Sequence, residues 1–293
     1  MDKFLIFIIK FIIPFKIKEY IKKIIFIKNF DVSETSFNLF GNKFWAPKTN
    51  FFEKSNIYYR IIINEEKEKL KIRYIESIFK PDCYIDVGAN IGYWSYFRII
   101  NSKKTTQFIC IEPSEITFKF LKKNLSKYIN CKLFNFGLSN IKEIKELSFP
   151  EWEDNNSIRK TNLGLRSIFG NTNILKEKIN LEVFDSFFLK TMNNFESIYI
   201  KIDTEGYELN ILKGMINTIK LVNNVIIEIE FNKQIDQKLN TDNYKEKINL
   251  LKKLNLKPYA FNGEKFNIIS YNSLINKYNE GVSNFLFLKK INF

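Results

Sequence analysis

Acids and glycines crowd together at two points of this chain, and no histidine is present to share their chemistry. The first point is Tyr84-Ile85-Asp86-Val87-Gly88-Ala89-Asn90-Ile91-Gly92, an apolar run that ends in a carboxylate and breaks at two glycines before a helix-like segment. A strand turning sharply into a helix needs glycine, because the backbone visits positive φ and a ligand must approach without a Cβ in the way. Gly88 and Gly92 meet that need. Their spacing departs from the G-x-G-x-x-G fingerprint of dinucleotide sites. Asp86 would repel a pyrophosphate but suits an ammonium-bearing ligand, which points away from NAD and toward S-adenosylmethionine. A turn that merely requires glycine is the bland alternative.

Glu112 follows Gly92 by 20 residues, at the end of the next expected strand. In a doubly wound sheet that position faces the ribose of a bound nucleoside, where a carboxylate accepts hydrogen bonds from both hydroxyls. The second crowded point is Lys201-Ile202-Asp203-Thr204-Glu205-Gly206-Tyr207-Glu208, where an apolar strand stops in three acids around a glycine. Acids at a strand's carboxyl end stand in the crevice where α/β sheets bind ligands, and crowding raises carboxyl pKa values toward the range of a general base. Three roles fit: Asp203 near a transferred group, Glu205 orienting or deprotonating an acceptor, and Glu208 capping the following helix. The preference of acids for a helix N-terminus explains one or two of these residues, but explains Asp203 poorly. The carboxylates permit a divalent cation without demanding one, and no metal site is expected.

Composition bounds the rest. The 293 residues, 45% hydrophobic and 27% charged, are those of a globular chain with a sizeable core. A net charge of +14 would ordinarily suggest nucleic acid or an anionic membrane. Here lysine, isoleucine, asparagine and phenylalanine abound together, as AT-rich codon usage produces, and no nucleic-acid module is visible. Lacking histidine, the chain has no Ser-His-Asp triad and no histidine base or metal ligand. Cys83, Cys110 and Cys131 lack the close spacing of zinc or redox pairs and read as small buried hydrophobes in a reducing compartment.

Along the chain, residues 1–50 form a basic and hydrophobic N-terminal extension, and residues 51–293 a single catalytic domain. The apolar stretch 4–13 is split by Lys10 and is shorter than the roughly 20 residues of a spanning helix. Residues 16–28 alternate lysine with isoleucine and aromatics, which suits packing on the main domain or a second subunit, or peripheral contact with an anionic membrane. A cytoplasmic protein is expected, at the inner membrane face if that contact is made. Residues 31–50 read as short strands and turns. Helices are expected over 65–79, 91–100, 116–128, 185–190, 207–219 and 244–254. Strands are expected over 84–87, 108–111, 132–136, 180–183, 197–202, 225–229, 257–261, 266–269 and 285–288. Alternation of this kind makes an α/β fold with a mostly parallel sheet. The polar segment 148–178, with Trp152 and Arg166, reads as an irregular insertion.

These motifs, in their order, resemble the FkbM family of S-adenosylmethionine-dependent methyltransferases. The likeness lies in Asp86 to Ser95, Ile111-Glu112-Pro113, Gly137-Leu138-Ser139 and Ile200 to Glu208. It continues in Phe184-Asp185-Ser186-Phe187-Phe188, Leu212-Lys213-Gly214 and Ser283 to Phe287, and so covers about residue 55 onward. Thr204 replaces the usual valine, an isosteric change. The resemblance implies a class I methyltransferase fold, Rossmann-like, whose seven-stranded sheet has an antiparallel last strand. It further implies O-methylation of a sugar, glycan or secondary metabolite, a small-molecule or glycan acceptor being the expected partner. Asp86, Gly88, Asn90 and Gly92 would then hold the methionine part of the cofactor, Glu112 the ribose, and Leu138 and Ser139 would lie near adenine. With no histidine, Asp203 or Glu205 would be the catalytic carboxylate, and the 148–178 insertion part of an acceptor lid. An NAD-type oxidoreductase and a non-catalytic glycan- or membrane-binding protein remain the competing expectations.

Overall fold

The computed structural model describes residues 34–47, 67–148, 151–152, 160–161, 176–191, 195–238 and 241–289. The N-terminal segment 1–33, and most of the insertion expected to act as a lid, including Arg166, lie outside the described residues. Among the described residues no helix is long and apolar enough to cross a membrane.

Runs of β-branched and aromatic residues build the central sheet: β3 (Cys83–Val87), β4 (Gln107–Ile111), β5 (Cys131–Phe134), β11 (Ser197–Ile202), β12 (Asn224–Asn232), β13 (Leu256–Phe261), β14 (Phe266–Ile268) and β15 (Val282–Lys289). Their order across the sheet is β14-β13-β15-β12-β11-β3-β4-β5. β5, β4, β3, β11 and β12 run parallel, β15 is antiparallel to β12, and β13 is antiparallel to β15. These seven strands carry the expected class I order with its reversed strand, and β14 turns back on β13 as an eighth. From β3 the chain winds outward through β4 and β5, then crosses to β11 and winds the other way. The carboxyl ends of β3 and β11 therefore flank the switch point where α/β sheets bind ligands.

Alternation along the strands sends side chains to two different layers. Ile85, Val87, Ile198, Ile200, Ile202, Val225, Ile227 and Ile229 face one layer, packed on Phe188, Ile211, Leu212, Ile248 and Leu274 from four helices and on Met215 between two of them. Tyr84, Phe108, Tyr199 and Ile226 face the other, under Ile75 of the helix over 67–78 and Phe79 of the turn that follows it. The sheet is thus covered on both faces, as parallel strands require.

A separate sheet pairs β6 (Gly137–Ser139), β10 (Lys176–Val183) and β7 (Glu143–Ser148). β8 (Glu151–Trp152) and β9 (Lys160–Thr161) form a short ladder of their own. The segment expected as short strands and turns is a hairpin of β1 (Glu34–Leu39) and β2 (Asn42–Pro47). Asn124, on helix Glu115–Leu125, docks it on the domain. Its Oδ1 accepts from Trp45 N–H at 2.6 Å, and its Nδ2 donates to the carbonyls of Trp45 and Ile91, both at 2.8 Å.

The helix expected over 207–219 is two helices, Glu208–Gly214 and Ile216–Leu221, divided at Met215. Asp185 explains the second start. Its carboxylate accepts from the N–H groups of Asn217 at 3.0 Å and Thr218 at 2.7 Å, which caps a new first turn. The helix expected from residue 91 begins at Tyr93, because Asn90 and Gly92 hold φ of 52° and 85°.

Candidate active site

Two backbone turns meet at the switch point. Val87 and Ile202 are register partners, and Asp203 N–H donates to the Val87 carbonyl at 3.2 Å, which brings the turn after β3 against the turn after β11. Gly88 is where they touch: its φ is +82°, and a Cβ there would lie 2.1 Å from the Asp203 carbonyl oxygen. No other residue fits that contact. A Cβ on Gly92 would meet Leu121 and Leu125 side chains at 2.7 and 2.9 Å, so this glycine lets the helix Glu115–Leu125 pack closely against the turn.

Glu112 ties the first turn to its neighbour. Its Oε2 accepts from Asn90 N–H at 2.9 Å, while Oε1 accepts from Ser114 N–H at 3.0 Å and Thr117 Oγ1 at 2.8 Å. Asn90 is thereby fixed in the left-handed region.

Beneath the turns a buried row crosses the sheet in register: Cys110, Asp86, Lys201 and Glu228. Asp86 is 1% exposed. Its Oδ2 accepts from Ser95 Oγ at 2.8 Å, and its Oδ1 lies 3.6 Å from Lys201 Nζ with no hydrogen-bond partner. Burial pushes the Asp86 carboxyl up, against the pull of the Lys201 ammonium and the Ser95 hydroxyl. Lys201 reaches Asp203 Oδ2 at 2.9 Å as well. Burial opposes its charge, but Asp203 and Asp86 outweigh that and hold the ammonium above its usual range. Arg98, also 1% exposed, lies 3.5 Å over the Trp94 ring, its Nη2 at 3.5 Å from Glu68 and 3.8 Å from Glu228. Glu228 also accepts from Tyr199 OH at 2.8 Å.

In the second turn Glu208 acts as a clamp. Its Oε1 accepts from Thr204 N–H at 3.1 Å, Thr204 Oγ1 at 3.2 Å and Gly206 N–H at 3.0 Å, on both sides of Glu205. Glu205 is thereby held at φ 54°. Its carboxyl is pushed up to about 8, first by burial and then by the Glu230, Asp203 and Glu208 carboxylates, Lys201 opposing. Burial, with Asp203 and Glu208, pushes Glu230 up to about 7.

A cavity of about 510 Å³ runs between the turns, within the usual range for small-ligand sites. Of the residues singled out from sequence, Gly88, Asn90, Glu112, Leu138, Asp203 and Glu205 line it. Asp86, Gly92 and Ser139 are set behind its wall. Ser139 is fully buried, its hydroxyl 3.3 Å from Tyr207 OH and from Asn140 Oδ1. The structure adds Trp94, Arg98, Lys201, Glu228 and Glu230 to the lining, none of which had a chemical role from sequence. A signal for Glu230 existed, since it follows the buried stretch 225–229 near the end of β12, as Asp203 follows β11. Cys110 and Cys131, remote in sequence, have Sγ atoms 3.7 Å apart as free thiols. Among the described residues no group of three or more acids or thiols could hold a metal ion.

The methyltransferase FkbM domain model matches residues 86–256, from the acid before the first turn to the start of β13. The chain belongs to the FkbM methyltransferase family. The FkbM match takes in both turns and every residue named above in them. The chain is 30% identical over 161 residues to the hexuronic acid methyltransferase AglP of Haloferax volcanii, over 53% of this chain and 59% of that protein. It thus spans less than two thirds of the relative's length. Similar solved structures include M. jannaschii TYW2 in complex with AdoMet, at 13% identity, covering 90% of each chain with a TM-score of 0.42. The O-methyltransferase TomG of Streptomyces achromogenes, in complex with SAM, is 7% identical, with 76% of this chain and 79% of that one covered and a TM-score of 0.41.

Proposed function

We propose that this FkbM protein is an O-methyltransferase acting on a hydroxyl of a sugar or glycan. The observation that carries the proposal is the raised, cavity-lining carboxyl of Glu205 facing the glycine turn across one cavity. A base with a pKa near working pH is what removal of a hydroxyl proton calls for. The name of the Haloferax volcanii relative, a hexuronic acid methyltransferase, supports a sugar as the acceptor.

S-adenosylmethionine supplies an electrophilic methyl group on a sulfonium. The residues present fit this donor: the cavity has room, Gly88 and Asn90 form a turn without bulk, and Glu112 offers a carboxylate at its rim. In this reading Gly88, Asn90, Glu112 and Leu138 hold the donor. Asp86, Gly92 and Ser139 support that wall from behind. Asp203, fixed by Lys201, orients the reacting centre, and Glu205 takes the acceptor proton. We also take residues 51–293, with the hairpin of β1 and β2 docked on them, as the catalytic unit, and place it in the cytoplasm.

The test is transfer of labelled methyl from S-adenosylmethionine to a glycan extract of the source organism. Label in a sugar ether that disappears with Glu205→Gln is the expected result. Binding of S-adenosylmethionine without label in any carbohydrate would overturn the acceptor class.

A further inference from the structure

Four carboxylates stand where β11 and β12 end, and their contacts separate their duties. Asp203 is engaged by Lys201 at 2.9 Å. Glu208 is occupied by the turn through Oε1, and its Oε2 lies 3.6 Å from Lys247. Glu205 and Glu230 both line the cavity. Glu230 follows Ile229, the register partner of Ile202, so it stands beside Asp203 at the sheet's edge on the cavity. Its Oε2 is buried and has no hydrogen-bond partner. A carboxylate oxygen sealed from water without a donor disfavours the charged form, and a neighbouring acid disfavours it further.

The surroundings of Glu230 are mixed in sign. Lys201 acts on it from β11, Asp203, Glu205 and Glu208 from the turn that follows, and the neutral Asn232 favours its charged form from the same strand. Asn284 is its neutral register partner on β15. Lys247 donates to the Glu230 backbone carbonyl at 3.3 Å, while its ion pair is with Glu208.

We propose that Glu230 is the proton-sharing partner of Glu205, so that the acceptor hydroxyl delivers its proton to a carboxyl pair rather than to a lone carboxylate. This rests on the hydroxyl methylation proposed above. In the step, the acceptor oxygen bonds the methyl carbon, the carbon–sulfur bond breaks with its electron pair on sulfur, and the hydroxyl proton passes to the Glu205 carboxylate. No oxidation occurs. One proton already on the pair keeps two adjacent negative charges from forming, and the raised values of about 8 and about 7 agree with such sharing. Glu230 therefore acts through Glu205 as a positioning residue.

The experiment is carbon-13 NMR of the full chain labelled at the glutamate carboxyls, titrated with S-adenosylhomocysteine present, with Glu205→Gln and Glu230→Gln as assignments. Two glutamates should titrate above the ordinary carboxylate range, and each substitution should lower the other's midpoint by about one pH unit or more. An unmoved midpoint in either variant would overturn the proposal. Should Glu230→Gln fail to fold, Glu230→Asp, which retains the carboxyl, must keep the Glu205 midpoint raised. Failure of the wild-type protein to bind S-adenosylhomocysteine by calorimetry would instead sink the methyltransferase site itself. In methyl transfer to the glycan extract, Glu230→Gln should move the ascending pH limb downward with the donor KM unchanged. A slower rate with an unmoved limb would assign Glu230 a structural role only.

Discussion

Glu205, the proposed base, sits in an uncommon conformation, since a non-glycine residue at φ 54° costs about 1–3 kcal/mol and persists only where its surroundings over-determine it. Glu208 does so, accepting from the N–H groups of Thr204 and Gly206 on either side. Glu208→Ala should therefore cost about 1–3 kcal/mol of stability, read from urea unfolding, and lower methyl transfer at least as much as it weakens donor binding. The pH dependence follows from the same residue. Glu205 accepts a proton only when ionised, so with a value of about 8 the rate should climb as pH rises toward 8 and then level. A flat profile across that interval would remove Glu205 from the proton transfer. At Gly88 even alanine should strain the fold, because its Cβ would overlap the Asp203 carbonyl at 2.1 Å and its φ of +82° is unfavourable. We expect Gly88→Ala to lose more than about 1 kcal/mol in urea unfolding together with donor affinity by calorimetry.

Between the residues and the fold stand the elements that aim them, and these were unevenly legible. Glu112, Gly88 and Asp203 could be placed because each marks the abrupt end of an apolar run, a local signal. The partnership of Asp86 with Lys201 could not, since it depends on the pairing of β3 with β11, two strands remote in sequence. The carboxylate read as a site for a ligand's ammonium group is instead buried beneath the turn with a lysine. Likewise nothing local announced that Asp185 caps the helix Ile216–Leu221 and divides the helix expected there. The docking of the hairpin through Asn124 is a third case, because one side chain joins Trp45 to the Ile91 carbonyl beside the glycine turn. Asn124→Leu should free both, with a stability loss of about 1–3 kcal/mol and weaker donor binding by calorimetry. Unchanged donor affinity in that variant would show that the hairpin does not brace the turn.

Over the whole protein the strand order was legible because alternating strands and helices leave few right-handed ways to build a mostly parallel sheet. What composition obscured was the electrostatics: a chain of net charge +14 sets Asp203, Glu205, Glu208 and Glu230 together where β11 and β12 end. That gathering has a consequence for stability. Glu205 and Glu230 have folded values raised to about 8 and about 7 from 4.5, so the folded chain holds their protons more tightly than the unfolded chain does. Their stabilising contribution is complete below the unfolded value and is lost as pH rises through 7 to 8. Urea midpoints should therefore fall across that interval, and Glu205→Gln should flatten the fall. The most direct test of the site is a crystal structure of the protein with S-adenosylhomocysteine. The expected result has its ribose at Glu112, its adenine against Leu138 and its sulfur facing Asp203 and Glu205, whereas a nucleoside bound anywhere else would contradict the account.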